Sequence, residues 1–383
     1  MDIRRSFAKL LGAVVVVGAT VVAGVPGSAT GATCQSWGAQ PPNRTQEINR
    51  LSGVVVLSPC RAWAVGSYNV PPVSQTLIEE WNGIAWHVQL SPNANTSTPN
   101  DLEGVTATST KDAWAVGLFF TSGSVARTLT EHWNGTAWSL VPSPSPGTGD
   151  DLSGVDALSP TDVWAVGSRS TTGARNTLVE HWNGVKWKVV PSPNPAGSVS
   201  NDLLHVDALS PTSVWAVGYS GPPTDRSTLV EHWNGTAWKI QQSPNTAATV
   251  NMLVDVTATS AKDVWAVGSV RDPSFASLIE HWDGSHWTIV PAASVGSVQN
   301  ALISVVATSA RNAWAVGFRE VGGVHRTLVE HWNGTTWKVE PTPNVGRRPN
   351  DLSSVDAASA TSVWAVGAYE TSKTERTLAI HCC

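Results

Sequence analysis

The chain has 383 residues, of which 41% are hydrophobic and 14% are charged. This apolar content is sufficient for a large core and argues against wholesale disorder. The net charge is -5 and Lys and Arg never cluster beyond a pair, which argues against binding to a nucleic-acid backbone. The aromatic residues are unusual, with 20 Trp but only 3 Tyr and 5 Phe.

Residues 1–33 have the features of a secretory signal peptide, with a basic start, an apolar run from Leu10 to Val25 and a small-residue exit. The segment Arg4–Lys9 resembles the bacterial twin-arginine signal, with Ala8 in place of the usual Leu, and this resemblance implies export of a folded protein. An uncleaved anchor is the alternative, although the run is shorter than the ~20 residues that span a bilayer. A lipidated Cys34 is a second alternative, although the residue before it is Thr33 and a small residue is expected before a lipidated Cys. We predict a secreted bacterial protein without a membrane span after signal removal.

The segment Trp-Ala-Val-Gly occurs seven times, at intervals of 49 to 51 residues. Self-similarity at a fixed period indicates repeats of one supersecondary unit. Residues 34–383 are therefore predicted to form one domain rather than the two or three that the length would suggest. The Trp residues of the seven copies are Trp63, Trp114, Trp164, Trp215, Trp265, Trp314 and Trp364.

Each unit is predicted to contain four strands, which we name a, b, c and d. In the third unit these are 152–158, 162–168, 176–182 and 187–190. The segments are short, alternate apolar and polar residues, and are rich in β-branched and aromatic residues. Asn183-Gly184 between strands c and d is the preferred pair for a two-residue hairpin. Each unit is therefore a four-stranded antiparallel meander.

Four-stranded units repeated every ~50 residues are typical of β-propeller blades. We predict an all-β fold, a seven-bladed β-propeller of four-stranded antiparallel blades. The pattern resembles kelch repeats and the propeller of galactose-oxidase-like proteins, in which strand b ends in Gly and an aromatic residue in strand c precedes a Trp in strand d. Kelch units have a Gly pair after strand b, whereas Gly66 and its equivalents stand single. An open solenoid with capping repeats is the alternative.

The ends of the chain predict how the ring closes. The seventh unit stops after strand c, whereas Trp37–Asn43 aligns with strand d of the third unit. The last blade is therefore predicted to be closed by the N-terminal strand, with Cys34 bonded to Cys382 or Cys383. Cys60, on the same face, is the predicted partner of the remaining cysteine. A thiol metal site is the alternative, but no Cys-x-x-Cys spacing exists.

Strand c repeats a Glu-His pair in most units. Strand c is third from the axis, so equivalent residues of different blades diverge and cannot share one metal ion. We predict that each Glu bonds the adjacent hairpin or a Trp indole, and we expect no metal and no cofactor. The residues are Glu79, Glu131, Glu180, Glu231, Glu280 and Glu330, and His132, His181, His232, His281, His331 and His381.

One face of the predicted ring carries the b–c and d–a loops, which differ in every blade; we call it the variable face. The opposite face carries the nearly identical a–b and c–d turns. Loops on a rigid scaffold commonly serve recognition, with aromatic and Arg side chains as anchors; neutral drift is the alternative. The ligand-binding candidates are Tyr68, Phe119, Phe120, Arg169, Tyr219, Arg271, Phe275, Phe318, Arg319 and Tyr369.

Acidic residues of strand a form a second set of candidates, at the mouth of the central channel. Converging acids there would bind a cation or sugar hydroxyls, and the alternative is that they cap turns and strands. Asp101, Asp151, Asp202 and Asp351 stand at the start of strand a, and Asp156, Asp207 and Asp356 stand within it.

The predicted function is that of an exported binding or scaffold module, a monomer that holds a protein or a cell-surface glycan on the variable face and binds no nucleic acid. The alternative is a glycan-active enzyme, such as a sialidase-like hydrolase, at the channel mouth. That enzyme would need a non-repeating cluster of acids, Arg and Tyr in one cleft. The sequence instead has Arg at near-equivalent positions of several units, which indicates a repeat feature. These are Arg127, Arg175, Arg226, Arg326 and Arg376.

Overall fold

The computed structural model describes residues 37–40, 48–70, 73–293, 295–296 and 299–382. The predicted signal peptide, Cys34 and Cys383 lie outside the described residues. Within these ranges the chain forms 28 strands and no helix. No helix capable of crossing a membrane is found in the part of the chain that is described.

The strands are β1 (Trp37–Gln40), β2 (Asn49–Ser58), β3 (Arg61–Val70), β4 (Val73–Trp81), β5 (Trp86–Gln89), β6 (Asn100–Ser109), β7 (Asp112–Phe120), β8 (Ala126–Trp133), β9 (Trp138–Leu140), β10 (Gly149–Ser159), β11 (Asp162–Thr171), β12 (Ala174–Trp182), β13 (Trp187–Val189), β14 (Asn201–Ser210), β15 (Ser213–Ser220), β16 (Ser227–Trp233), β17 (Trp238–Gln241), β18 (Val250–Ser260), β19 (Asp263–Arg271), β20 (Phe275–Trp282), β21 (Trp287–Ile289), β22 (Asn300–Ser309), β23 (Asn312–Val321), β24 (Val324–Trp332), β25 (Trp337–Val339), β26 (Asn350–Ser359), β27 (Ser362–Glu370) and β28 (Glu375–Cys382).

These strands form seven four-stranded sheets, which we number as blades 1 to 7. Blades 1 to 6 each use four consecutive strands, from β2–β5 to β22–β25, whereas blade 7 has the order β1-β28-β27-β26. The inner strand of each blade contacts the inner strand of the next, and β26 contacts β2. The predicted seven-bladed β-propeller is therefore confirmed, and its last blade is closed by the N-terminal strand β1.

The single Gly of each Trp-Ala-Val-Gly segment has a steric cause. The inner strand contains a β-bulge opposite this Gly, between Leu152 and Gly154 in blade 3. A Cβ on Gly167 would lie 2.1 Å from the carbonyl oxygen of Asp151, and the equivalent glycines of the other blades are equally tight. No side chain fits at this position, because the bulged backbone occupies the space.

Tryptophan side chains fill the interfaces between blades. Trp114 of strand b in blade 2 packs against Trp182 and Trp187 of blade 3, with ring centroids 4.7 and 5.2 Å apart. The same trio recurs around the ring. At the closure, Trp37 of β1 meets Trp314 edge to face at 5.8 Å. The Trp excess therefore builds the core between blades, where each large ring buries extensive apolar surface.

The cysteine predictions have different outcomes. Cys382 is fully buried beside Trp37 and is not a free thiol. The predicted bond to Cys34 involves a residue outside the described ranges and stays a prediction. Cys60 is exposed and free, so the disulfide predicted for it is not formed. Its Cβ lies 3.1 Å from the position a Cβ would take on Gly83, so Cys60 packs against the c–d hairpin of its own blade.

Candidate functional site

The face opposite the variable face repeats one local structure. In the c–d hairpin of blade 3, the Asn183 side chain accepts hydrogen bonds from the backbone N–H groups of Val185 and Lys186, both at 3.1 Å. Gly184 has a φ of 85°, which explains the Asn-Gly pair. Since these turns are nearly identical around the ring, differences between blades that could select a ligand are concentrated on the variable face.

All ten ligand-binding candidates lie in strands, close to the ends that reach the variable face, and not in loops as predicted. The reason is that strands b and c continue to pair almost to the turn, as in blade 3, where Thr171 pairs with Ala174. Five candidates share one position of strand b and are half-buried. These are Tyr68, Phe119, Arg169, Arg319 and Tyr369.

Tyr219 and Phe318 stand one residue earlier in strand b and are only 3% and 2% exposed. They belong to a buried apolar cluster formed by blades 4 to 6 that includes Leu204, Met252 and Ile303. Neither side chain therefore offers a surface to a ligand.

The two candidates of blade 5 contact each other. Arg271 pairs with Phe275 across the b–c hairpin, and its guanidinium lies 5.7 Å from the ring centroid. Arg271 also donates a hydrogen bond to the carbonyl of Pro223 in blade 4, at 3.2 Å. These contacts tie the loops of two neighbouring blades together.

The acids within strand a fasten neighbouring blades along the channel. Asp156 accepts a hydrogen bond from the backbone N–H of Ala208 at 2.8 Å, and Asp356 accepts one from Val56 at 2.6 Å. Asp207 is bonded in the same way by Ala258. Desolvation in the channel wall raises the pKa of all three and brings that of Asp356 to about 6. Each acid therefore connects two inner strands.

A second ring of channel residues was not anticipated from the sequence. It consists of glycines in blades 1 to 3 and of His205, Asp255, Ser304 and Ser354 in blades 4 to 7. His205 pairs with Asp255 at 2.5 Å, and the Ser304 hydroxyl donates to the other oxygen of Asp255. These four side chains, with Glu103, Gly53 and Gly104, line a void of roughly 20 Å³, room for about one water molecule. The signal in the sequence was the loss of the repeated Gly at one position of strand a.

The acids at the start of strand a form ion pairs around the channel mouth. Asp202 accepts hydrogen bonds from Arg175 at 2.8 Å and from the Tyr219 hydroxyl at 2.9 Å, while Arg175 also reaches Asp151 at 3.0 Å. Asp351 pairs with His325 at 2.9 Å. Asp101 is buried.

These contacts bring acids, arginines and a tyrosine together at one non-repeating place, as the enzyme alternative requires. However, the Tyr219 hydroxyl is engaged by Asp202, and the Arg226 guanidinium lies 3.9 Å from its ring centroid. Burial raises the pKa of Tyr219 well above its usual range. The cluster joins blades 3, 4 and 5 and presents no exposed nucleophile in the described residues.

The repeated strand-c residues are structural. His181 stacks on Trp164 at 4.3 Å and bonds Asp162 at 2.7 Å. Glu131 accepts a hydrogen bond from Ser91 of the preceding blade. The prediction that these Glu bond the hairpin or an indole is therefore wrong for Glu131, because the loop of the neighbouring blade lies closer. Across the described residues, no group of three or more His, Cys, Asp or Glu side chains is arranged to hold a metal ion.

The fold and these contacts define a β-propeller protein with a non-repeating face. No family model and no curated protein matches the chain. Solved structures do: YCF48 from Cyanidioschyzon merolae is 16% identical, with a TM-score of 0.57 over 91% of this chain and 98% of that one. YCF48 bound to D1 peptide is 15% identical, with a TM-score of 0.57 and coverage of 91% and 97%. A PL25 ulvan lyase is 9% identical, with a TM-score of 0.54 and coverage of 91% and 94%. At these identities the similarities show the fold alone.

Proposed function

We propose that the protein is an exported binding module that holds a protein or a glycan on its variable face. The observation that carries this proposal is a row of half-buried aromatic side chains on three consecutive blades, with Tyr369 on blade 7, Tyr68 on blade 1, and Phe119 followed by Phe120 on blade 2. Tyr369, Tyr68 and Phe119 each pack on a core cluster between blades. Rings held in this way lose little conformational freedom on binding and are typical interface anchors.

The comparisons support binding only by analogy of fold. One matched structure is YCF48 with a D1 peptide, and an ulvan lyase was solved bound to -[GlcA(1-4)Rha3S]-. A propeller can therefore carry either kind of ligand. The kelch-like relationship belongs to the same proposal and is supported by the Gly that ends each Trp-Ala-Val-Gly segment. The enzyme alternative is less well supported, since the cluster around Tyr219 is buried and paired.

The test is binding of the purified protein to a glycan array and to cell-wall material. The double variant Phe119→Ala plus Phe120→Ala should weaken binding by about tenfold or more, because truncation of aromatic anchors typically has this effect. The matched control is Ile84→Ala plus Val185→Ala, which removes two exposed apolar side chains from the hairpins of the opposite face. Unchanged binding of the first variant, or an equal loss in the control, would contradict the use of the variable face.

A further inference from the structure

Strand register reveals a pattern that sequence position alone obscures. In every blade, one residue of strand b near the variable face pairs directly with one residue of strand c. We call the pairs at this position in blades 6, 7, 1, 2 and 3 the crescent. In order these pairs are Arg319–Arg326, Tyr369–Arg376, Tyr68–Gln75, Phe119–Arg127 and Arg169–Asn176. The equivalent pairs of blades 4 and 5 are Ser220–Ser227 and Val270–Ala276.

The crescent holds five Arg side chains, three aromatic rings and no acid, although the chain as a whole has a net charge of -5. Arg319 and Arg326 even stand directly opposite each other, and like charges in this arrangement destabilise a sheet. Arg326 also donates to the carbonyls of Arg347 and Arg348, both at 3.2 Å. It thereby holds beside it a loop with two further, exposed arginines. A local rule broken without a structural gain is expected at functional sites.

Much of the hydrogen-bonding capacity of these arginines is unused. Within the described residues, the Nε groups of Arg169, Arg319 and Arg376 are buried and have no hydrogen-bond partner. Arg127 donates one N–H to the carbonyl of Gly147 at 2.9 Å and lies 3.8 Å from Asp150. All five Arg side chains are half-buried, so their apolar stems are packed against the blades.

We propose that the crescent is the docking surface for an acidic segment of a partner protein, in which Asp or Glu alternates with apolar residues. This inference rests on the proposed function and names its ligand. Guanidinium groups match carboxylates in charge and geometry. The variable face also exposes Ile48 by 46% and Val321 by 50%. Aliphatic side chains of a peptide can cover these residues together with the aromatic rings.

The test measures fluorescence anisotropy of three labelled peptides, one alternating Glu with Leu and Phe and two in which Lys or Ser replaces Glu. Only the acidic peptide should bind, and its affinity should fall as the salt concentration rises. Two double variants copy pairs that the chain itself carries in blades 4 and 5, which favours correct folding. Arg319→Ser plus Arg326→Ser, and Tyr369→Val plus Arg376→Ala, should each weaken binding by about tenfold or more.

The control is Lys188→Ser plus Lys239→Ser, which removes two positive charges, as the first crescent variant does, but from exposed positions of outer strands. Equal weakening in this control, or no effect of the crescent variants, would overturn the proposal. If no peptide binds while the glycan array is positive, the partner class is wrong although the proposed function stands. If neither ligand class binds, the proposed function fails as well.

Discussion

At the scale of single residues, one exception within the repeat shows how the loops are held. In six blades an Asn of strand a stands opposite the strand-b residue at the crescent position, and in five of them the Asn is buried. Asn100 donates to the carbonyls of Asn95 and Thr98 at 2.6 and 2.7 Å and accepts from the backbone N–H of Ala94 at 2.9 Å. In blade 3 this residue is Asp150, which accepts a hydrogen bond from the backbone N–H of Gly147 at 2.8 Å, while its other oxygen is buried and has no hydrogen-bond partner among the described residues. Burial accordingly raises the pKa of Asp150.

Asp150→Asn should therefore stabilise the protein at neutral pH by about 1–2 kcal/mol, because an amide can donate where the carboxylate oxygen has no partner. The gain should shrink in acid, where Asp150 is protonated. Urea unfolding at two pH values measures it. The reverse substitution Asn100→Asp is the matched control and should destabilise blade 2. A loss of stability in Asp150→Asn would refute this explanation.

At the scale of elements, strand c of every blade except the seventh carries a fully buried Glu between blades, and Ile380 stands at that position in blade 7. Desolvation raises the pKa of Glu131 to about 8, that of Glu180 to about 9 and that of Glu280 to about 7. Both carboxylate oxygens of Glu180 are buried and have no hydrogen bond to any described residue. At neutral pH the folded protein therefore holds protons that the unfolded chain would release.

Above pH 6.5, the ordinary pKa of His, stability should therefore fall as the pH rises towards 8 or 9, since the buried Glu side chains bind more protons in the folded state than in the unfolded state. Glu180→Gln should reduce the slope by about one proton. Asp225→Asn, in an exposed loop, is the control and should leave the slope unchanged. Unfolding free energies measured across this pH range decide the matter; stability that rises with pH would contradict the prediction.

The strands could be predicted because their signals are local. Alternation, β-branched residues and the Asn-Gly pair fix each meander without reference to other blades. The partner of the buried Glu could not be predicted in this way. Ser91, which bonds Glu131, lies 40 residues earlier in the loop of another blade. Only the position of one blade against the next decides that contact.

At the scale of the whole molecule, the number of blades and the closing strand follow from counting repeats and noticing the missing strand d. The candidate site was less predictable, because it depends on register. Arg127 and Arg175 look equivalent in sequence, yet Arg127 pairs with Phe119 in the crescent position whereas Arg175 is offset by one residue and pairs with Ser170. A shift of one residue sends a side chain to the opposite side of a sheet. Arg175 thus reaches Asp202 at the channel mouth instead.

The closure predicts a difference between two equivalent tryptophans. Trp37→Ala should destabilise the protein by about 3–5 kcal/mol and should also release β1, because β1 is paired with β28 but, unlike the outer strands of the other blades, is not connected to its neighbour by a hairpin. Trp187→Ala, at the same position of blade 3, should destabilise without releasing a strand. Hydrogen exchange of residues 37–40 should be faster in Trp37→Ala than in Trp187→Ala, and equal exchange in the two variants would contradict the release of β1.

Reductant should increase the effect of Trp37→Ala, because a Cys34 disulfide would stabilise the ring by roughly 4 to 5 kcal/mol in the chain-entropy model. Free thiols at all four cysteines in non-reducing peptide mapping would contradict the predicted disulfide.

The pairing of Trp37 with Cys382 also has a consequence for the order of synthesis. Among the described strands, β1 is the first to leave the ribosome and β28 is the last, so β1 has no partner while blades 1 to 6 are being completed. At ordinary translation rates this interval lasts on the order of tens of seconds. The time at which the ring closes is therefore set by the end of translation and not by the folding of any one blade.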